Sequence, residues 1–272
     1  MNIAKRVAAA YAQSTRVAAV QYKPKFKDPD FNRWQLRSLA MMAANKGAKI
    51  IVLPELATTG YSFMSKKEAA PFAEPLEGQT VAALSWVARK FECYIACGVM
   101  TRDGDSIYNS QILVGPSGLV AHYHKMNFWG NDRLWATAGT EKPPIIQTPH
   151  GKLGLLICKD VRDKRPGKTD QRKTASDEFY DVGDADIVAF STNWGDGEFP
   201  SGTWVSFALK NGVWLVVSNR CGGAERANFF DGGVCVISPE GVVQVEGLDF
   251  ESDCIVYGTV GAGKTPQALN SD

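Results

Sequence analysis

A chain of 272 residues with 44% hydrophobic and 22% charged residues holds ample material for one continuous core, and no Pro/Ser/Gly-rich linker divides it. Its net charge of +1 supplies no global field to draw in nucleic acid or an anionic membrane, so small molecules are the expected partners. No apolar run reaches the ~18 residues of a membrane span and Met1 to Arg6 opens no signal-like hydrophobic segment, which points to a cytoplasmic protein.

Residues 2 to 13 read as a short amphipathic or frayed helix outside the core, and Arg16 to Gln21 as the first strand. Asp28 or Asp30 caps a helix through Trp34, Leu36, Leu39 and Met41 that stops near Gly47. The apolar run Ile50 to Leu53 is a second strand and ends in Pro54-Glu55. A helix over about Thr80 to Phe91 follows, then strands at Tyr94 to Met100 and Tyr108 to Val114 around a turn at Asp103-Gly104-Asp105. Pro116-Ser117-Gly118 is a tight turn before a strand that ends at Lys125, and Gly154 to Ile157 is a buried-strand run that ends at Cys158. Beyond it come a helix near Ala175 to Tyr180, a strand at Ile187 to Ser191, a helix around Trp204 to Asn211 and a strand at Val213 to Ser218. Gly233 to Ser238, Val242 to Glu246 and Cys254 to Val260 read as a closing antiparallel meander. Such an α/β mixture suggests two sheets packed face to face under helices, and spacing alone does not separate that from an open doubly wound sheet.

Three of these strand ends carry chemistry: Glu55, Lys125 and Cys158 offer a base, a cation and a nucleophile. Attack on an amide or nitrile carbon needs those roles, with a donor for the negative charge that develops. Lys125 beside Cys158 should favour its thiolate, while Glu55 accepts and redelivers the proton. The six cysteines lack paired metal-type spacings and sit mostly in apolar runs, which fits reduced thiols and no zinc site.

Around these residues the chain resembles the nitrilase superfamily of carbon–nitrogen hydrolases. The resemblance runs through Arg16 to Gln21, Leu53 to Tyr61, Tyr108-Asn109-Ser110, His124-Lys125, Gly154 to Arg162, Ser191 to Trp194, Asn219-Arg220 and Gly232 to Gly241, in the family's order. It implies a four-layer αββα sandwich over residues 16–260, preceded by an extension over 1–15 and followed by a flexible tail over 261–272. It further implies that Glu55 is general base, that Lys125 stabilises the tetrahedral intermediate, and that Cys158 forms a covalent thioester or thioimidate. The N–H of Lys159 would be an oxyanion donor, with Asn193 and Trp194 as pocket walls, and no metal or organic cofactor is required. The expected activity is hydrolysis of a linear non-peptide amide or carbamoyl amide, by a homodimer or higher homo-oligomer.

Departures from the family pattern bear on the site. Where members commonly carry a second glutamate, this chain has Asp132, one methylene shorter, unless the alignment is shifted. Lys159 stands where true nitrilases usually carry tryptophan, which favours amides over nitriles. The basic loop after Arg162, about 163 to 175, reads either as a solvated surface loop or as a lid. Trp129 and Trp135 flank Asp132 and, like Tyr61 and Phe63, read either as walls of the site or as packing aromatics. Asp160 and Arg162 read as supports of the nucleophile loop, and His122 and His124 as structural. The alternatives for function are nitrile hydrolysis by the same triad and a catalytically silent scaffold, against which the intact Glu55, Lys125 and Cys158 argue.

Overall fold

The computed structural model describes residues 14–162, 179–247 and 249–261. β1 (Ser14–Gln21) turns Val17 and Ala19 to one face and Ala18 and Val20 to the other, all fully buried, so this strand is covered on both sides. α1 (Pro29–Asn45) begins where the Asp28 carboxylate accepts the Phe31 N–H with Pro29 in the first turn, a preset φ at a position that needs no donor. Then follow β2 (Ile50–Val52), the single turn α2 (Lys66–Ala69), the two-residue β3 (Glu74–Pro75) and α3 (Gln79–Phe91). β4 (Tyr94–Asp103), β5 (Ser106–Gly115) and β6 (Gly118–His124) are joined by tight turns, the first through Gly104 at φ +53°.

The second half repeats this plan with a one-turn α4 (Asp132–Trp135), β7 (Ile145–Thr148), β8 (Gly151–Ile157), β9 (Ile187–Thr192), α5 (Gly202–Asn211) and β10 (Trp214–Asn219). A small hairpin, β11 (Gly223–Glu225) and β12 (Asn228–Phe230), precedes β13 (Val234–Ile237), β14 (Val243–Gly247) and β15 (Cys254–Gly261). One sheet has the order β15-β1-β2-β4-β5-β6 with β3 on β4, and the other β14-β13-β10-β9-β8-β7. Each is parallel at its centre, β1-β2-β4 in one and β8-β9-β10 in the other, with antiparallel strands outside.

Three apolar layers account for the stacking. Val17, Ala19, Val52 and Leu113 meet Leu155, Ile157, Ala189 and Val216 between the sheets. On its other face the first sheet packs Val20, Ile51 and Ile95 against Leu36 and Ala40 of α1 and Leu84 and Val87 of α3. The second packs Phe190, Leu215 and Val217 against Trp204 and Phe207 of α5. The result is the αββα sandwich, in which successive residues of a central strand serve different cores.

The expected closing meander is corrected. β13 and β14 form a hairpin in the second sheet, but β15 crosses to the first and pairs with β1 from Ser14 opposite Gly261 to Gln21 opposite Cys254. Without β15 the doubly buried β1 would end its sheet with a row of unpaired backbone groups, which the crossover satisfies. The expected helix near 175 to 180 lies mostly outside the described residues, and its described end is not helical: Phe179 bridges Arg162, and the Tyr180 N–H donates to the Val161 carbonyl at 3.1 Å. The N-terminal helix over 2 to 13, the loop from 163 and the tail from 262 also lie outside the described residues. All six cysteines carry free thiols.

Candidate active site

Glu55 is carried just past β2, where Pro54 lacks the N–H that would continue the ladder. The loop is laid tightly on β4: Gly98 donates its N–H to the Pro54 carbonyl at 3.0 Å and accepts the Ala57 N–H at 2.9 Å. A side chain at Gly98 would put its Cβ 2.4 Å from the Glu55 Cα. Gly98→Ala is therefore expected to destabilise the fold by about 1–3 kcal/mol and to displace Glu55, so that turnover falls further than urea denaturation alone would account for. An alanine variant with unchanged denaturation and unchanged rate would show that the loop has room to give.

Lys125 follows β6 and is fully buried, with Nζ 2.6 Å from Glu55 Oε1 and 2.7 Å from Asp132 Oδ2. Asp132, the first residue of the one-turn α4, reaches it directly despite its shorter side chain. Asn109 on β5 completes the cluster by donating Nδ2 to Glu55 Oε1 at 2.8 Å and to Asp132 Oδ1 at 3.1 Å. Burial opposes the Lys125 charge, but Asp132 and Glu55 outweigh it and raise its pKa well above the usual value. Burial raises Glu55 above the ordinary carboxylate range, with Lys125 pulling it down and Asp132 pushing it up. Glu55 and Lys125 therefore titrate together and not as independent groups.

Cys158 ends β8 at a sharp turn: its φ is +43°, and Cys158–Val161 form a single 3₁₀ turn. A left-handed backbone at a residue with a Cβ costs roughly 1–2 kcal/mol, so Cys158→Gly is expected to unfold about 1 kcal/mol later than Cys158→Ala. Equal denaturation midpoints would argue against strain at this turn. Burial, then the Glu55 charge, push the thiol up to about 12, against Lys125 and the dipoles of Thr192 and the Asn193 backbone. Lys125 acts in the expected direction, towards the thiolate, but burial and Glu55 outweigh it. Lys125 is close, but it is already neutralised by two carboxylates and does not offset the desolvation of sulfur.

The thiol opens on a cavity of about 200 Å³, lined among the described residues by Trp129, Cys158, Lys159, Arg162, Asn193 and Trp194, with Gly195 and Asp196 beyond. Of the other residues expected to bind substrate, Tyr61 does not line it. Its ring is buried behind Trp129 with centroids 6.1 Å apart, and its hydroxyl donates to the Trp129 carbonyl. Asn193 follows β9, and its N–H donates to Glu55 Oε2 at 2.9 Å. The Trp194 N–H donates to Asn219 Oδ1 at 2.8 Å. Asp160 accepts from the Tyr123 hydroxyl at 2.6 Å and from the N–H groups of Met126 and Asn127, which pins the segment after Lys125 to the Cys158 turn. Arg162 both lines the cavity and donates to Thr203 Oγ1 at 2.9 Å.

Phe63 and Trp135 pack against each other at 6.2 Å in a core cluster. His124 stacks on Tyr108 at 4.1 Å and bonds Ser110, and burial lowers it to about 4, so it is neutral near pH 7. Sequence reasoning passed over Asn109, which stood in the word Tyr108-Asn109-Ser110 without a role. It also passed over the buried Arg220–Glu225 pair at 3.1 Å, whose carboxylate takes the N–H groups of Tyr61 and Ser62. Among the described residues no group of three or more His, Cys, Asp or Glu is placed to hold a metal, and no helix is long and apolar enough to cross a membrane.

The same four layers occur in solved proteins. A carbon–nitrogen hydrolase superfamily protein of Xanthomonas campestris with an arsenic adduct in its active site matches with a TM-score of 0.73 at 24% identity, covering 92% of this chain and 91% of that one. An amidase from Nesterenkonia sp. AN1, solved as a double mutant with acrylamide, matches at 0.70 and 22%, covering 91% of each chain. These likenesses define the class of fold, the αββα sandwich of such hydrolases. The chain belongs to the carbon–nitrogen hydrolase family, whose model its residues 16–164 match. A nitrilase of Pyrococcus abyssi is 31% identical over 84% of this chain and 83% of its own length, and an (R)-stereoselective amidase of a Pseudomonas species is 24% identical over 85% and 80%. The protein is thus a nitrilase- or amidase-like enzyme that hydrolyses carbon–nitrogen bonds other than peptide bonds.

Proposed function

We propose that the protein hydrolyses a small linear amide to the acid and ammonia or an amine through a Cys158 thioester, with Glu55, Lys125 and Cys158 as the catalytic triad. The observation that carries this reading is Glu55: one oxygen lies on the Lys125 ammonium at 2.6 Å and the other on the N–H of Asn193, a residue that lines the Cys158 cavity. Glu55 takes the Cys158 proton as sulfur attacks the carbonyl carbon. The oxyanion is met by the Lys159 N–H and the Lys125 ammonium, where fixed donors in a dry site act most strongly. Glu55 then protonates the leaving nitrogen, and the C–N bond breaks to give the thioester. Water, deprotonated by Glu55, attacks that thioester. The acid leaves and the proton returns to sulfur. Asp132 and Asn109 hold the lysine and the base in place.

The modest cavity and the mixed charges of Lys159, Arg162 and Asp196 fit a short polar acyl group. The test is ammonia release from short aliphatic amides, ω-amides of dicarboxylic acids, N-carbamoyl compounds and nitriles, beside a Cys158→Ala control. Mass spectrometry should find acyl-Cys158 during turnover. Silence across the panel would remove the hydrolytic reading of this site.

A further inference from the structure

Asn193 is 4% exposed, and among the described residues neither Oδ1 nor Nδ2 of its side chain has a hydrogen-bond partner, although it lines the cavity beside Cys158. A buried carboxamide with both polar atoms unsatisfied is costly, because each group has lost water and gained nothing. Nothing about the turn requires asparagine. The backbone at Asn193 is held by its own N–H on Glu55 Oε2, and the next residue by the Trp194 N–H on Asn219. Any side chain would keep those bonds.

We infer that the Asn193 carboxamide reads the N–H groups on the substrate's leaving nitrogen, and is a specificity-determining residue that selects amides over substrates with the same acyl group and no N–H there. The inference rests on the amide-hydrolase reading above. Its geometry follows from Glu55. The residue proposed to protonate the leaving nitrogen is bonded through Oε2 to the Asn193 backbone, which sets the Asn193 side chain next to the place where that nitrogen arrives. A primary amide offers an N–H to Oδ1, while its carbonyl oxygen, which an ester shares, goes to the Lys159 N–H and Lys125. A nitrile or an ester of the same acid has no N–H and leaves Oδ1 desolvated and unpaired.

The test compares Asn193→Leu and Asn193→Ala with the parent on three substrates that share one acyl group: a short aliphatic amide, its p-nitrophenyl ester and its nitrile. The expected result is a loss of about 100-fold in kcat/KM for the amide with the ester within about threefold of the parent, so that the amide-over-ester and amide-over-nitrile preferences collapse. The leucine variant should melt at the parent temperature or a few degrees higher, since an apolar isostere removes two unsatisfied groups. A merely structural asparagine would instead lower the melting temperature and depress all three substrates together, which would overturn the inference. So would an unchanged amide preference. A parent that hydrolyses the ester but no amide would remove the amide-hydrolase reading itself, an outcome distinct from the other two.

Discussion

Lys125→Met is expected to destabilise the protein by about 3–5 kcal/mol and to lower turnover at least 10²–10³-fold. Lys125 is the ammonium between Glu55 and Asp132, and all three side chains are fully buried. Asn109 Nδ2 touches both carboxylates, at 2.8 and 3.1 Å, so without the lysine two like charges face each other across one amide group. Removing one partner of a buried pair costs more than the pair contributes, because the remaining charge keeps its desolvation and loses its compensation. Glu55, already raised by burial, would rise further once the cation that lowers it is gone.

The sign of the pH dependence follows. A carboxyl whose folded pKa lies above its unfolded value supports the fold fully at pH below the unfolded value, and that support is lost as pH rises through the folded pKa. The variant should therefore melt closest to the parent under acid conditions and fall away as pH increases. Thermal denaturation of parent and variant from pH 5 to pH 8 measures this. Parallel curves would mean that the carboxylates do not depend on Lys125. Adding Asp132→Asn to the variant should recover part of the stability and none of the activity, since one charge is removed and the cation is still missing.

Glu55→Gln is expected to lower kcat/KM by about 10²–10⁴-fold and to change the shape of the pH profile. In the parent the thiol, raised to about 12, stays protonated through the physiological range, so attack depends on Glu55 as proton acceptor. Only the carboxylate form can accept. Activity should therefore be present above the Glu55 pKa and lost below it, with the acid limb above the ordinary carboxylate range. Glutamine has no such limb. Its residual acylation relies on the small thiolate fraction, which grows about tenfold per pH unit below the thiol pKa. Alkylation of Cys158 in the variant should then rise log-linearly with pH, without the plateau that the parent's turnover reaches once Glu55 is ionised. A variant that keeps the parent profile would exclude Glu55 as the base.

The comparison of sequence with structure divides along a physical line. That Glu55, Lys125 and Cys158 stand at strand ends was legible because each is a polar or reactive residue that ends an apolar run, and a strand end is a local pattern. Helices α1, α3 and α5 were legible from local patterns too, α1 with Asp28 or Asp30 as cap and Gly47 as stop, whereas the Ser201 cap and Gly212 stop of α5 emerged only in the structure. Asp132 was uncertain because whether one methylene less still reaches Lys125 depends on where α4 packs, and the residues nearby do not encode that position. The crossing of β15 was missed because its nearest strand in the chain, β14, offers an equally good antiparallel partner, and only the bare edge of β1 breaks the tie.

By itself, then, the sequence determined the alternation of strands and helices and the order of the reactive strand ends, while the layered sandwich came only with the family resemblance. The alternation and the order depend on periodicity and on where apolar runs stop. The tertiary structure alone decided that Cys158 rests as a thiol, that Asn109 joins the two carboxylates, that Tyr61 stands behind Trp129 and that the Asn193 carboxamide is left without partners among the described residues. Burial and hydrogen-bond pairing are sums over residues far apart in the chain, and they exist only once both sheets have closed on each other.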